Sequence, residues 1–140
     1  TVPRFIQLNP NYVNEFTTQV NNRKVRFKSG NQYDYPDSRI VFYEVKYENH
    51  LSCITGYIKD MTETFTLNRV NYKFNKREKH YIVVDGVAHR LRRARDIYNL
   101  FEEKKKELKK FRRKNNLRLR TKFPDDIVEL LKYYEQITYN

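Results

Sequence analysis

The sequence is poor in the residues that mark special turns, disulfides and membrane spans. Its 140 residues include one Cys, one Met, three Gly, four Pro and no Trp. A single Cys excludes an internal disulfide, and so few Gly and Pro exclude a flexible low-complexity linker. No apolar run approaches the ~20 residues that a membrane-spanning helix needs. Three glycines also leave little material for a phosphate-binding loop.

Aromatic residues are abundant, although the apolar fraction as a whole is low at 39%. Twelve Tyr and nine Phe argue against a disordered chain, because disordered segments are depleted in aromatic residues. A chain of this length forms one domain most simply, with a modest core. We therefore expect residues 1–140 to form a single domain.

Positive charge is concentrated in one stretch of the chain. The formal net charge is +12, and residues 90–122 contain fifteen Lys or Arg against four Asp or Glu. Residues 1–89 carry thirteen cations and nine anions, and residues 123–140 carry one cation and four anions. Clustered cations attract polyanions and anionic lipid. The asymmetry therefore predicts an anionic partner without identifying it.

The first two-thirds of the sequence has the alternation of β-strands. Residues 39–48 place Val41, Tyr43, Val45 and Tyr47 on one face. Residues 51–58 are a plausible hairpin partner, and residues 64–74 alternate with a change of parity that predicts a bulge or turn near Asn68. Residues 23–28 and 4–8 are weaker strand candidates.

The strongest local prediction is a β-hairpin over residues 80–91. Asp85 and Gly86 favour the positive φ angles of a type I′ turn, and β-branched residues lie on both sides. A two-residue loop pairs Val84 with Val87, and Ile82 with His89.

Helical periodicity begins after residue 91. Ala94, Ile97, Tyr98 and Phe101 are spaced as one helical face, and a second helix is predicted over residues 103–115. A third helix is expected from Pro124, with a face of Ile127, Leu130, Leu131, Tyr134 and Ile137. The predicted fold class is α+β: an antiparallel β-sheet over residues ~1–91, followed by a C-terminal three-helix segment over residues ~93–138. The basic tail, residues 92–140, would pack on the sheet.

The basic tract is the candidate functional site. Like charges at i, i+4 on a helix cost a few tenths of a kcal/mol each, so their accumulation is not expected from stability alone. A solvated face that keeps the protein soluble is the commonest explanation of such helices and stays open. The candidate anion- or partner-binding residues are Arg90, Arg92, Arg93, Arg95, Lys105, Lys106, Lys109, Lys110, Arg112 and Arg113.

Nucleic acid is the alternative partner for the same tract. Arg118, Arg120 and Lys122 could add phosphate contacts, and several Tyr could stack on bases. No RNP motif, GXXG loop, Cys/His finger or basic zipper is present, however. Phosphate attraction alone gives affinity without sequence information.

No catalytic, cofactor or metal motif is recognisable in the sequence. Cys53 has no neighbouring base and is expected to be a buried strand residue. His80 and His89 are predicted to be diagonal neighbours in the hairpin, but the third ligand that zinc needs is missing. Asp125 and Asp126 are explained by the dipole of the third helix. We expect neither an enzyme nor a bound cofactor, and the sequence implies no small-molecule substrate.

Parts of the sequence resemble a group of exported envelope proteins of Bacteroidota that carry a Lys-rich C-terminal helical tail. The resemblance covers roughly residues 40–137. It lies in residues 104–111, 114–117 and 125–134 of the tail, and in residues 42–48 and 81–86 upstream. It implies a location in the periplasm or at the outer membrane and a non-enzymatic, accessory binding role. It carries over no functional residue.

The favoured interpretation is therefore a non-catalytic binding or structural protein of the envelope that docks on an anionic protein complex or membrane surface. The alternative is a cytoplasmic RNA- or DNA-associated protein. Residues 1–5 lack the apolar segment of a signal peptide, and the chain has no initiating Met. This pattern predicts a processed or truncated product.

Overall fold

The computed structural model describes residues 7–120 and 124–139. Six strands form one sheet in chain order, and each is antiparallel to the next: β1 (Glu15–Val20), β2 (Arg23–Ser29), β3 (Phe42–Glu48), β4 (Ser52–Thr66), β5 (Arg69–Val84) and β6 (Val87–Leu91). Three helices follow: α1 (Ala94–Leu100), α2 (Lys105–Lys114) and α3 (Pro124–Tyr139). The predicted α+β class, with strands first and helices last, is confirmed.

The helices pack on one face of the sheet and form the larger core. Cys53, Ile82 and Leu91 contribute from the sheet, and nearly all of their surface is buried. The predicted stripe of α3 is confirmed, since its first four members are buried and Ile137 is half-buried. The helical side of this core consists of Ile97, Tyr98, Phe101, Leu108, Leu119, Ile127, Leu130, Leu131 and Tyr134.

A second, smaller core lies on the opposite face of the sheet. It contains Tyr43, Ile54, Tyr81 and Val83 from the central strands, and Ile40 from the connection between β2 and β3. The Ile40 side chain packs directly on the backbone of β4 at Gly56, where an added Cβ would lie 2.4 Å from Cδ1 of Ile40. The central strands are therefore covered on both faces.

The hairpin predicted over residues 80–91 is present in the predicted register. Ile82 pairs with His89, and Val84 pairs with Val87. Asp85 and Gly86 form the turn with φ angles of 52° and 81°, the region that a type I′ turn requires.

Strand β3 departs from the simple alternation predicted for it. The register shifts between Val45 and Tyr47, so Tyr47 pairs with Cys53 and packs against the helical core. Tyr43 lies in the core of the opposite face, so the expectation of a common face for both tyrosines is wrong. The bulged residue is Lys46, whose ammonium lies 2.9 Å from the Glu44 carboxylate. A bulge of one residue reverses the alternation beyond it.

Strands β4 and β5 form a hairpin much longer than the segments predicted for it. The bulge or turn predicted near Asn68 is the turn that joins β4 to β5, with φ angles of 43° at Leu67 and 63° at Asn68. Residues 59–76 extend past the two cores, and we call this extension the arm. Strand β1 was not predicted at all, and its Phe16 stacks on Phe27 of β2 at 5.0 Å. Of the weak candidate 4–8, residues 4–6 lie outside the described residues, and residues 7 and 8 are not in a strand.

Candidate anion-binding surface

The geometry of α2 separates its cations into an outer and an inner set. Leu108 is fully buried and fixes the side of the helix that faces the core. At 100° per residue, Lys106, Lys110 and Arg113 lie on the opposite side, and all three are exposed. They follow i, i+4, i+7 spacing and form one ridge along the outside of the helix.

Two candidate residues of α2 have structural contacts instead. Lys109 is half-buried, and its Nζ lies 5.4 Å from the centre of the Tyr98 ring. Arg112 is half-buried as well and donates hydrogen bonds of 3.3 Å to the Tyr98 hydroxyl and the Leu117 carbonyl. Both side chains hold α2 and the following loop against α1. They are therefore less available to a partner than the outer ridge.

A second group of cations surrounds the start of α1. Arg92, Arg93 and Arg95 are exposed. The carboxylate of Asp96 accepts hydrogen bonds from the backbone N–H groups of Arg92 at 2.8 Å and Arg93 at 3.0 Å. Asp96 suits the positive end of the helix dipole, whereas arginines there oppose it. The stability of α1 therefore does not explain this cluster.

Arg90 does not belong to the exposed surface. It pairs with Tyr81 in the sheet, and its guanidinium lies over the Tyr81 ring, 5.6 Å from its centre. Its Nε and Nη1 atoms are buried and have no hydrogen-bond partner among the described residues. The contact with the ring compensates part of this burial. We keep Arg90 apart from the surface.

The remaining candidates define what we call the cationic surface. All are exposed, and they lie on the outer ridge of α2, at the first residue of α2 or at the start of α1. The set comprises Arg92, Arg93, Arg95, Lys105, Lys106, Lys110 and Arg113.

Among the residues that the structure describes, ion pairs compensate part of the positive charge of the sheet and none of that of the cationic surface. In the sheet, Arg26 contacts both Glu15 and Glu48 at 3.1 Å, and Lys28 contacts Glu48 at 2.8 Å. Within the described ranges, every ion pair joins residues of the sheet, of the β2–β3 connection or of α3. None includes a cation of residues 90–114. The side-chain cations of the cationic surface therefore make no ion pair with a described residue, although the Asp96 carboxylate accepts from the backbone of Arg92 and Arg93.

The loop after α2 contains two arginines that were not among the candidate residues. Leu119 is buried in the helical core, and the flanking Arg118 and Arg120 are exposed. With Arg112 they line a cleft of about 320 Å³. The backbone N–H of Arg118 donates a 2.7 Å hydrogen bond to Asp126. The Arg-Leu-Arg alternation is the sequence signal for this arrangement, since it buries the middle residue of an extended segment.

Buried titratable groups lie in the sheet, away from the cationic surface. Thr55 and Nδ1 of His80 are 2.8 Å apart, and burial lowers the pKa of His80. Tyr57 is only partly buried, and its hydroxyl donates to Glu44; partial burial, followed by this hydrogen bond, raises the pKa of Tyr57. Burial also raises the pKa of Cys53 to about 12. These shifts follow from core packing.

The described part of the chain holds neither a cluster of metal-ligand side chains nor a membrane-spanning helix. Across residues 7–120 and 124–139, no three His, Cys, Asp or Glu side chains are grouped so that they could hold a metal ion. Over the same residues, no helix is long and apolar enough to cross a membrane.

Comparisons with models of protein families, with curated proteins and with solved structures find no match to this chain. The resemblance of the tail to envelope proteins stays a prediction from the sequence. The arrangement of the cations is therefore the remaining guide to function.

Proposed function

We propose that this protein is a non-catalytic binding protein of the bacterial envelope whose cationic surface docks on the anionic headgroups of a membrane. The single observation that carries the proposal is the uncompensated charge of the helical layer. Seven exposed cations are concentrated there without an ion pair among the described residues, whereas the exposed unpaired cations of the sheet (Arg23, Lys24, Lys59, Arg69, Lys73 and Lys76) are spread over three strands. The envelope location rests on the resemblance of the tail.

The distribution of the charges suits an extended anionic surface. The ridge on α2 and the cluster at α1 are spread along the outside of one layer, so they match many phosphates at once. Each Lys or Arg close to an anionic membrane contributes about 1 kcal/mol, and the attraction decays within a Debye length of ~8 Å at physiological salt. Seven cations would therefore supply several kcal/mol in total, with a strong dependence on salt.

The aromatic residues of the tract argue for headgroups over single-stranded nucleic acid. Tyr98 and Phe101 are buried, and Phe111 is half-buried and stacks on Tyr133 at 4.1 Å. The described part of the tract, residues 90–120, thus offers no exposed ring on which a base could stack. Proteins that bind single strands generally combine a basic groove with such rings. Nucleic acid is therefore the second choice.

Co-sedimentation with lipid vesicles tests the proposal. We expect binding to vesicles that contain phosphatidylglycerol, little binding to pure phosphatidylcholine, and a steep loss of binding as salt is raised. The test variant reverses Lys105, Lys106, Lys110 and Arg113 to Glu. It should lose vesicle binding and keep its melting temperature, since exposed charges contribute little to stability.

A matched control separates a local surface from net charge. Reversing four exposed cations of the sheet, Arg23, Lys24, Arg69 and Lys73, changes the net charge by the same amount. This control should bind vesicles far better than the test variant. Equal loss in both variants would mean that only total charge matters. Preferential binding of an RNA or DNA oligonucleotide over anionic vesicles would replace the proposal with the nucleic-acid alternative.

A further inference from the structure

The arm has one apolar and one polar face. In its register, Lys59 pairs with Lys76, Met61 with Phe74, Glu63 with Tyr72, and Phe65 with Val70, so these residues share one face. The other face carries Asp60, Arg77 and a series of Thr, Asn and basic residues. We call Met61, Phe65, Val70, Tyr72 and Phe74 the apolar arm face.

The apolar arm face is open to solvent although it continues the face that the helices cover. Phe65 is 77% exposed and Phe74 is 71% exposed, and none of the described residues covers them. A fully accessible aromatic side chain presents ~150–250 Å². The three rings, with Met61 and Val70, therefore expose roughly 600 Å². This is at the upper end of the ~300–600 Å² of the largest patch on a typical monomer.

The charges on this face form a regular pattern. Lys59 and Lys76 are directly opposite each other, an arrangement that destabilises a strand pair. Asp60 pairs at 2.6 Å with Arg77 on the polar face. Glu63 lies between Met61 and Phe65 along the strand. Glu78 lies next to the arm on the same face. The face therefore has two cations, Lys59 and Lys76, and two anions, Glu63 and Glu78. It is neutral, although the chain has a net charge of +12.

Glu63 argues against a bilayer as the occupant. An ionised residue inside hydrocarbon costs a few kcal/mol at least, and Glu63 is in the middle of the apolar stripe. A face adapted to anionic lipid would carry cations alone. The mixed Lys and Glu residues of this face instead suit a protein surface that carries the same charges in the opposite order along its length.

We propose that the apolar arm face binds the same face of a second copy of this chain, related by a two-fold axis with the arms running in opposite directions. Centred on the Met61–Phe74 pair, this arrangement places Glu63 opposite Lys59 of the second copy. The same arrangement places Tyr72 opposite Lys76 of the second copy, where the ammonium can lie over the face of the Tyr72 ring. Each unfavourable Lys59–Lys76 pair thereby gains a carboxylate and a ring from the other arm.

Other alignments are disfavoured by charge and shape. Centring on the Glu63–Tyr72 pair would bring the two Glu63 carboxylates together. Arms running in the same direction would superpose the helical layers, because the helices cover this same face of the sheet. In the reversed arrangement, Phe65 reaches a pocket of about 440 Å³ beside the other arm, lined by Tyr57, Ile58, Lys59, Lys76 and Glu78.

The area is sufficient for a weak but specific dimer. Two arm faces of roughly 600 Å² each bury about 1,200 Å² in total, the lower limit of standard specific interfaces. Interfaces of this size are commonly transient, so we expect a dissociation constant in the micromolar range. The contact is isologous, because both copies use the same face, and most homodimers have this two-fold symmetry.

Analytical ultracentrifugation of the full chain at physiological salt tests the proposal. The wild type should dimerise over a micromolar concentration range, and Phe65→Ser with Phe74→Ser should be monomeric. Glu63→Lys alone and Lys59→Glu alone should each weaken the dimer at least about tenfold, because each places like charges together. The double variant, Glu63→Lys with Lys59→Glu, should recover most of the wild-type affinity.

Lys73→Glu is the matched control, since it makes the same change of charge on the polar face of the arm and should leave the dimer unchanged. Circular dichroism verifies that each variant is folded. A wild type that stays monomeric at about 100 µM overturns the proposal, since that is far above the expected dissociation constant. So does a dimer that survives the Phe65 and Phe74 changes, or a charge exchange that fails to rescue. If the Phe changes abolish vesicle binding at concentrations where the wild type is monomeric, the membrane is the occupant of the apolar arm face instead.

Discussion

Truncation of Leu130 to Ala is expected to destabilise the protein by about 3–4 kcal/mol. Leu130 is fully buried in the helical core, where α3 faces the sheet. The change removes three carbon atoms, and their transfer is worth about 2.4 kcal/mol at ~0.8 kcal/mol per methylene. A residual cavity of ~50 Å³ adds about 1.2 kcal/mol at ~24 cal/mol per Å³. Partial collapse of the site would lower the sum toward the ~2 kcal/mol minimum of such changes.

Leu67→Ala is the matched control, because it is the same chemical change at a side chain that is 98% exposed. Urea unfolding followed by far-ultraviolet circular dichroism should show a loss for Leu130→Ala and almost none for Leu67→Ala. The protein should be dilute, so that any association of arms does not contribute. A loss below about 0.5 kcal/mol for Leu130→Ala would mean that α3 does not fold cooperatively with the sheet, and it would refute the assignment of one common core.

Three further changes test the buried groups of the sheet. Burial lowers the pKa of His80, so the unfolded chain binds a proton at a higher pH than the folded protein does. The free energy of unfolding should therefore fall as pH drops below about 6.5. In urea titrations, His80→Gln should flatten this pH dependence, and His89→Gln should not. Burial raises the pKa of Cys53 to about 12, so the native thiol should resist iodoacetamide at pH 8 and react only after unfolding. Gly56→Ala should lower the melting temperature, because the new Cβ would lie within 3 Å of the Ile40 side chain, and an unchanged value would mean that this contact relaxes freely.

The elements that were predicted correctly are those fixed by local chemistry. Asp85 and Gly86 supply the positive φ angles of their turn, so the hairpin and its register follow from neighbouring residues alone. The stripe of α3 repeats over about three turns after Pro124, with the spacing of one helical face. The fold class follows from these two elements and the order of the segments.

The arm and the bulge could not be predicted in the same way. Apolar residues alternate along 59–76 as they do in a buried strand, and the sequence does not say whether the chain has another element to cover them. The bulge at Lys46 depends on the pairing of β3 with β4, which is a tertiary property. Strand β1 is polar beyond Phe16 and is recognisable only through its partner Phe27.

The candidate site was predictable in composition and only partly in geometry. Exposure of Lys106, Lys110 and Arg113 follows from their angle to Leu108 on a helix. The half-buried Lys109 and Arg112 both contact Tyr98, a residue of another helix, and no local pattern indicates that contact. Long cationic side chains lay their stems on apolar surface, so sequence position alone does not separate structural cations from free ones.

The cationic surface and the arm are separate parts of each subunit. Strand β6 ends at Leu91 opposite His80, four residues of β5 from Lys76, so Arg92 and Arg93 leave the sheet ~13 Å from the arm. In the proposed dimer, the two-fold axis lies between the stacked arm faces and parallel to them. The helical layers cover these same faces, so their outer sides point in opposite directions in the two copies. One membrane therefore contacts the cationic surface of only one copy.

Phe65→Ser with Phe74→Ser should therefore bind vesicles as the wild type does, both above and below the dimer dissociation constant, because it removes no cation. The reversal variant of α2 should show the opposite pattern, with vesicle binding lost and dimer formation retained. A Phe variant that binds vesicles more weakly than the wild type would mean that the arm itself contributes to membrane binding, because the cationic surface of the variant is unchanged.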